Sequence, residues 1–308
     1  MSQAFVFPGQ GSQSVGMMKA FADEQPVIKE TFEEASDILG FDLWSLTQNG
    51  PEEKLNQTDN TQPAMLTAGV ASWRAFKQAG GADPVFMAGH SLGEYTALVC
   101  AGAMSFAQAL PLVVKRGQFM QEAVPAGTGA MAAILGLDDE IVQTVCDAVS
   151  QGEVLQPVNY NSPGQVVVAG TRGAVERAVT AATEKGAKRA IILPVSVPSH
   201  CDLMAPAADR LFAELGKIDI NSPAISVIHN ADVASYSDVE KIKDALRRQL
   251  YSPVRWVETI QLLAKQGVTE IVECGPGKVL AGLNKRIDRQ MAAIPLIDQG
   301  SLDKCLGN

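Results

Sequence analysis

Gly89-His90-Ser91-Leu92-Gly93 sits between an apolar run, residues 84–88, and a run with helical character, residues 94–101. A serine flanked this way, after a strand and before a helix, has the pattern of a nucleophile elbow. Such a turn strains the serine backbone, and bulky neighbours would hold strand and helix apart. Glycines at 89 and 93 remove those side chains. The Ser91 hydroxyl is then held at a helix N-terminus, where free N–H groups and the dipole favour negative charge. A plain strand-to-helix turn can use the same residues; the flanking pattern favours the elbow.

A serine hydroxyl is nearly inert near neutral pH and needs a base. The chain has three histidines, His90, His200 and His229. His90 adjoins Ser91 at a strand end, where adjacent side chains point to opposite faces, so a structural role suits it better. His229 ends an apolar strand beside Asn230, and either role fits. His200 lies in the loop Val197-Pro198-Ser199-His200-Cys201. Loops on rigid scaffolds favour catalysis, yet a lone loop histidine is as readily structural, and both readings stand.

Arg116 lies within the apolar stripe Phe106, Ala109, Leu110, Val113, Gly117 and Met120, whose spacing predicts a helix. A guanidinium directed inward is costly unless an anion meets it. Two anions would serve: a protein carboxylate, or a substrate carboxylate gripped by the planar fork. The loop Pro8-Gly9-Gln10-Gly11-Ser12-Gln13 fails the dinucleotide pattern, since Ser14 stands where a third glycine belongs. Gln10 there is a candidate for one backbone donor of an oxyanion hole, with Leu92 as the other. An ordinary glycine turn is the competing explanation.

These groups need a scaffold. Residues 4–7 predict a buried strand, 27–39 and 63–78 predict helices, and 84–88 lead into the elbow. The uncharged stretch 95–114 has the length of a membrane span. Gly102, Ser105, Gln108 and Pro111 break it into two helices meeting near Ser105. After residues 125–129 the pattern is strand 130–135, helix 138–149, strands 154–159 and 165–169, helix 172–185 and strand 189–195. That β-α-β-β-α-β order is ferredoxin-like. It predicts a small domain, 126–196, inserted into a larger α/β domain formed by 1–125 and 197–308. In the remainder, 224–228 and 269–273 predict strands, and 239–250 and 254–265 predict helices. A further helix starts at 279.

The chain of 308 residues has 46% hydrophobic and 19% charged residues and a net charge of −9. That balance argues against nucleic acid, which needs a concentrated basic surface. Five scattered cysteines and the lack of a basic, apolar leader fit a reducing cytoplasm. Metal motifs are absent from the sequence. Asp138, Asp139 and Asp147 fall in or beside an insert helix, so no acid completes a Ser–His pair.

The elbow with Glu94 and Tyr95, together with residues 7–13, resembles the malonyl-CoA:acyl carrier protein transacylases of bacterial fatty-acid synthesis. The resemblance continues through Gly127-Thr128-Gly129-Ala130-Met131, Asn161-Ser162-Pro163-Gly164-Gln165, residues 195–200 and Glu273-Cys274-Gly275-Pro276-Gly277-Lys278. It implies an α/β-hydrolase-like parallel-sheet domain with a ferredoxin-like insert. It also implies a ping-pong transfer of malonyl from malonyl-CoA to the pantetheine thiol of acyl carrier protein, without cofactor or membrane. Ser91 would be the acylated nucleophile, His200 its base, Arg116 the carboxylate clamp, and Gln10 and Leu92 the oxyanion donors. A main-chain carbonyl near Gln249, in place of a carboxylate, would orient the histidine. Met120 and Ser199 are acyl-pocket candidates. For docking an acidic carrier protein the basic candidates are Lys285 and Arg286, with Lys188, Arg189 and Lys278. The rivals are a serine esterase or thioesterase and a non-catalytic module retaining only the fold.

Overall fold

In strand β1, Gln3–Phe7, Phe5 and Phe7 face one apolar core while Ala4 and Val6 face another, and all four are buried. A strand covered on both faces belongs inside a parallel sheet flanked by helices. The computed structural model describes residues 2–195 and 197–307. Met1, Ser196 and Asn308, which bound the expected domains, lie outside the described residues.

Two sheets organise the chain. Strand β2 is Phe86–Gly89; β3, β4, β5 and β6 are Gly129–Leu135, Leu155–Ser162, Gln165–Thr171 and Arg189–Ile192. Then come β7, Ser226–His229; β8, Ala234–Ser235; β9, Glu270–Cys274; and β10, Ala292–Leu296. The six-stranded sheet runs β10-β9-β1-β2-β7-β8, parallel throughout except for the edge pair β7–β8. The four-stranded antiparallel sheet runs β4-β5-β3-β6. This is the parallel-sheet α/β architecture with a small antiparallel unit expected from the sequence.

The stretch 95–114 resolves into two helices. Gly93–Cys100 ends as Ala103 N–H bonds back to the Leu98 carbonyl. Phe106–Ala123 starts anew, its first turn capped by Ser105 Oγ, which accepts from Gln108 N–H at 3.2 Å. Among the described residues no helix is long and apolar enough to cross a membrane.

Some departures from expectation, and one strand the sequence did not predict, have local reasons. Strand β6 stops at Ile192 instead of 195, because Pro194 has no N–H to continue the ladder. Leu193 makes the last bond, to the Met131 carbonyl at 2.8 Å. The helix expected from 254 begins at Trp256. Val254 instead bridges the small sheet, its N–H donating to the Val158 carbonyl at 2.8 Å and its carbonyl accepting from Tyr160 N–H at 3.0 Å. Strand β10 contains Pro295 and is an edge strand, the place where a sheet tolerates proline.

The Val254 crossing fastens the two sheets. One face of the small sheet packs on the helices Asp139–Val149 and Arg172–Glu184. The other presents Met131 and Val167 to a cleft of about 500 Å³. Across the cleft lie the loops leaving β1 and β2. Phe7 pairs with Gly89, so those loops emerge side by side at the carboxyl ends of parallel strands.

Helix Gly93–Cys100 rests directly on β1. A Cβ at Gly93 would overlap the Phe7 carbonyl oxygen. Gly93→Ala should therefore lower stability by about 3 kcal/mol or more, since backbone must shift to admit the methyl. Urea unfolding of the purified variant measures this.

Candidate active site

Ser91 has φ 53° and His200 φ 68°, both in the left-handed region that non-glycine residues rarely occupy. The sequence puts them there for different reasons. At Ser91, β2 must reverse into a helix across the three residues 90–92. A Cβ at Gly89 would overlap the Gly93 carbonyl group, so only glycine permits the approach. The turn is held by Asn230, just past β7. Its Oδ1 accepts from Ser91 N–H at 2.7 Å, and its Nδ2 donates to the Gly89 carbonyl at 2.6 Å. At His200 the chain turns back toward the helix Val239–Gln249, and His200 N–H donates to the Leu250 carbonyl at 3.0 Å.

His200 Nε2 lies 2.8 Å from Ser91 Oγ, and Nδ1 lies 2.7 Å from the Gln249 carbonyl oxygen. A carbonyl only accepts, so Nδ1 carries the proton. Nε2 is then a lone pair facing the serine hydroxyl. Burial, with the Arg116 charge second, pushes the imidazole down to about 3, against the Gln249 carbonyl. It therefore stands neutral at physiological pH.

Arg116 is fully buried. Its Nη1 donates to Gln62 Oε1 at 2.8 Å, and its Nη2 to Gln249 Oε1 at 3.1 Å and Ser91 Oγ at 3.2 Å. Its Nε has no partner among the described residues. The Tyr95 ring lies 5.3 Å from the guanidinium carbon. These partners are all neutral, and no ion pair with a protein carboxylate is formed among the described residues. Of the two anions weighed from the sequence, the protein carboxylate is thus excluded as a direct contact. Burial pulls the Arg116 pKa down, while Tyr95 and the Glu94 charge oppose it.

The backbone N–H groups of Gln10 and Leu92 meet no acceptor among the described residues, and Gln10 and Ser91 both line the cleft. Ser199 lines it too. Met120 is buried and does not line the cleft; its Sδ accepts from Gln62 Nε2 at 3.7 Å, within the packing around Arg116. Lys285 and Arg286 are exposed on the helix Val279–Ile287. Arg286 Nη1 reaches Gln165 Oε1 at 2.8 Å, on the cleft wall.

The other histidines are engaged elsewhere. His90 Nε2 contacts Asn161 Oδ1 at 2.8 Å, and its ring packs on Trp256. His229 Nδ1 lies 2.7 Å from Glu94 Oε1, fully buried.

Sequence reasoning missed Glu94, Asn230, Gln62 and the side chain of Gln249. Gln249 Nε2 donates to the Ser91 carbonyl at 2.9 Å and to Glu94 Oε2 at 2.8 Å. Glu94 Oε2 also accepts from Asn230 N–H at 2.9 Å. A signal for Glu94 was present: it is the sole Asp, Glu, Lys or Arg between Asp83 and Lys115. Gln62 and Asn230 carry no such mark, being polar residues at the borders of apolar runs.

Chemically, the arrangement offers a serine, a neutral base, unclaimed N–H donors and a buried cation without an anion in contact. The acyl transferase domain model matches residues 4–296. The chain is 57% identical over 303 residues to a malonyl CoA-acyl carrier protein transacylase of Salmonella typhimurium, covering 98% of each. Against the solved malonyl CoA-acyl carrier protein transacylase of Coxiella burnetii the TM-score is 0.99 at 52% identity, covering 100% of this chain and 97% of that one. A malonyl-transacylase solved in complex with its type II polyketide acyl-carrier protein matches with a TM-score of 0.99 at 55% identity, covering 100% of both chains.

A base held at about 3 predicts a distinctive pH profile. The rate of Ser91 acylation, followed by intact mass, should show no inflection near pH 6.5, since Nε2 stays unprotonated well below that. The rate should fall only as pH approaches the lowered value. A break near 6.5 would mean that His200 is solvated before reaction.

Proposed function

The chain belongs to the acyl transferase domain family, and from that premise we propose the roles by which its residues move a malonyl group. The activity is transfer of malonyl from malonyl-CoA to the phosphopantetheine thiol of acyl carrier protein, the step that supplies extender units for fatty-acid synthesis. The observation that carries the residue roles is the buried Arg116 beside the Ser91–His200 pair, with only neutral protein partners.

Ser91 Oγ attacks the thioester carbonyl as His200 Nε2 takes its proton. The Gln10 and Leu92 N–H groups receive the oxyanion that forms. The tetrahedral species collapses, the CoA thiolate leaves with the proton from His200, and a malonyl-serine ester remains. The carrier-protein thiol then attacks that ester by the same steps in reverse order. The Gln249 carbonyl takes the orienting place that an acid occupies in a triad.

Arg116 grips the malonyl carboxylate with its planar fork. Its charge holds down the proton affinity of His200, so a carboxylate that neutralises it strengthens the base once the right substrate is in place. Recognition and proton transfer are thereby coupled. Fixing the acyl group also keeps it from activated water, which distinguishes transfer from hydrolysis. Ser199 borders the acyl pocket, with Met120 behind it. Lys285 and Arg286 form part of a basic rim for the carrier protein. The separate apolar cores support dividing the chain into 1–125 with 197–308, and the insert 126–196. We place the protein in the cytoplasm, where its thiol substrates reside.

Intact mass after incubation with malonyl-CoA tests the scheme: a malonyl adduct on Ser91 that carrier protein discharges supports it, and steady CoA release to water alone favours a thioesterase. Arg116→Ala should lose malonyl transfer by a factor of several hundred or more, corresponding to about 3–5 kcal/mol for an unpaired buried charge, and relax toward acetyl. Unchanged malonyl/acetyl selectivity would remove Arg116 from the mechanism. Reversing charge at Lys285 and Arg286 together should raise the KM for carrier protein at low salt and leave that for malonyl-CoA near its original value.

A further inference from the structure

Glu94 is a fully buried carboxylate outside the reacting set, yet its contacts reach Ser91, Arg116 and His200 through one intervening residue. Through Asn230 it reaches the backbone on both sides of the elbow, Gly89 and Ser91. Through Gln249 it reaches the Ser91 carbonyl and Arg116, and the Gln249 main chain orients His200. The Gln249 amide lies with its NH2 group on Glu94 and its carbonyl oxygen on the guanidinium. Its dipole thus lies along the line between the two charges, positive end on the anion and negative end on the cation, which is favourable for both.

We propose that Glu94 is a positioning residue that acts as the counter-ion of Arg116 at one remove, across the Gln249 amide. The inference rests on Arg116 being the carboxylate clamp. A buried guanidinium is unstable without negative charge nearby. A carboxylate in direct contact would supply that charge but occupy the fork the substrate needs. Separation by one amide resolves the conflict. Arg116 stays charged in the free enzyme, and no protein anion must be displaced when malonyl arrives. Glu94 also sets the strength of the clamp, because its charge repels a second carboxylate brought to the same cation.

Glu94→Gln isolates the charge from the geometry. The amide oxygen can still accept from Asn230 N–H and Gln249 Nε2. The new NH2 group can donate to His229 Nδ1 once that ring moves its proton to Nε2, the nitrogen without a partner among the described residues. With the charge gone, the substrate carboxylate becomes the sole local anion.

The test is the equilibrium between CoA thioester and acyl-enzyme, read by intact mass at set ratios of acyl-CoA to CoA. For Glu94→Gln, malonyl should shift toward the enzyme ester by about tenfold, within the usual range of coupling between sites, while acetyl stays within about twofold. Equal shifts for both acyl groups overturn the proposal. A double-mutant cycle on thermal stability needs no substrate and covers poor folding of the single variant. Adding Arg116→Gln to Glu94→Gln should recover stability, because the orphaned cation is then gone. Strictly additive losses, or a double variant that folds no better than the single, overturn it. A wild-type enzyme that takes no malonyl would instead strike the reading of the site.

Discussion

A cation sealed from water with no anion in contact is the constraint around which this molecule is built. Arg116 is held by two glutamine side chains, a serine hydroxyl and an aromatic face. Hydrogen bonds to neutral acceptors satisfy most of its donors but do not cancel its charge. The fold must therefore keep the guanidinium rigid, or it would turn toward water or toward a carboxylate. Rigidity comes from a helix whose apolar stripe is packed on both sides of the arginine, and from partners on the helix Thr58–Gln78 and at the end of Val239–Gln249.

The Ser91–His200 pair is placed by backbone more than by side-chain packing. Ser91 and His200 both sit in left-handed conformations, and both are tied through their main-chain N–H groups to segments distant in sequence. Strain of this kind persists only where the surroundings over-determine the conformation. Asn230 does so for the serine, and the 249–250 carbonyls do so for the histidine. Each comes from chain near the carboxyl end of a sheet strand or helix, so the parallel sheet serves as a jig for groups that are remote in the sequence.

Much of this was legible beforehand because it depends on short-range pattern. The elbow shows in its glycines, and Arg116 shows because it interrupts a helical stripe. The βαββαβ order of the small unit shows in alternating periodicities. What stayed hidden depends on long-range pairing. Nothing near Gln249 indicates that its side chain meets Glu94, 155 residues away. Pro194 would have marked the early end of β6, since it has no N–H to give the ladder. The start at Trp256 was less visible, since Val254 leaves the helix only to bridge a different sheet.

Gln249 divides its work between two kinds of atom. The bond that orients the histidine uses a main-chain oxygen, which every amino acid possesses; the bond that steadies the arginine uses an amide found only in the side chain. A different side chain at this position therefore loses the bonds to Arg116, Glu94 and the Ser91 carbonyl but keeps the carbonyl that faces His200.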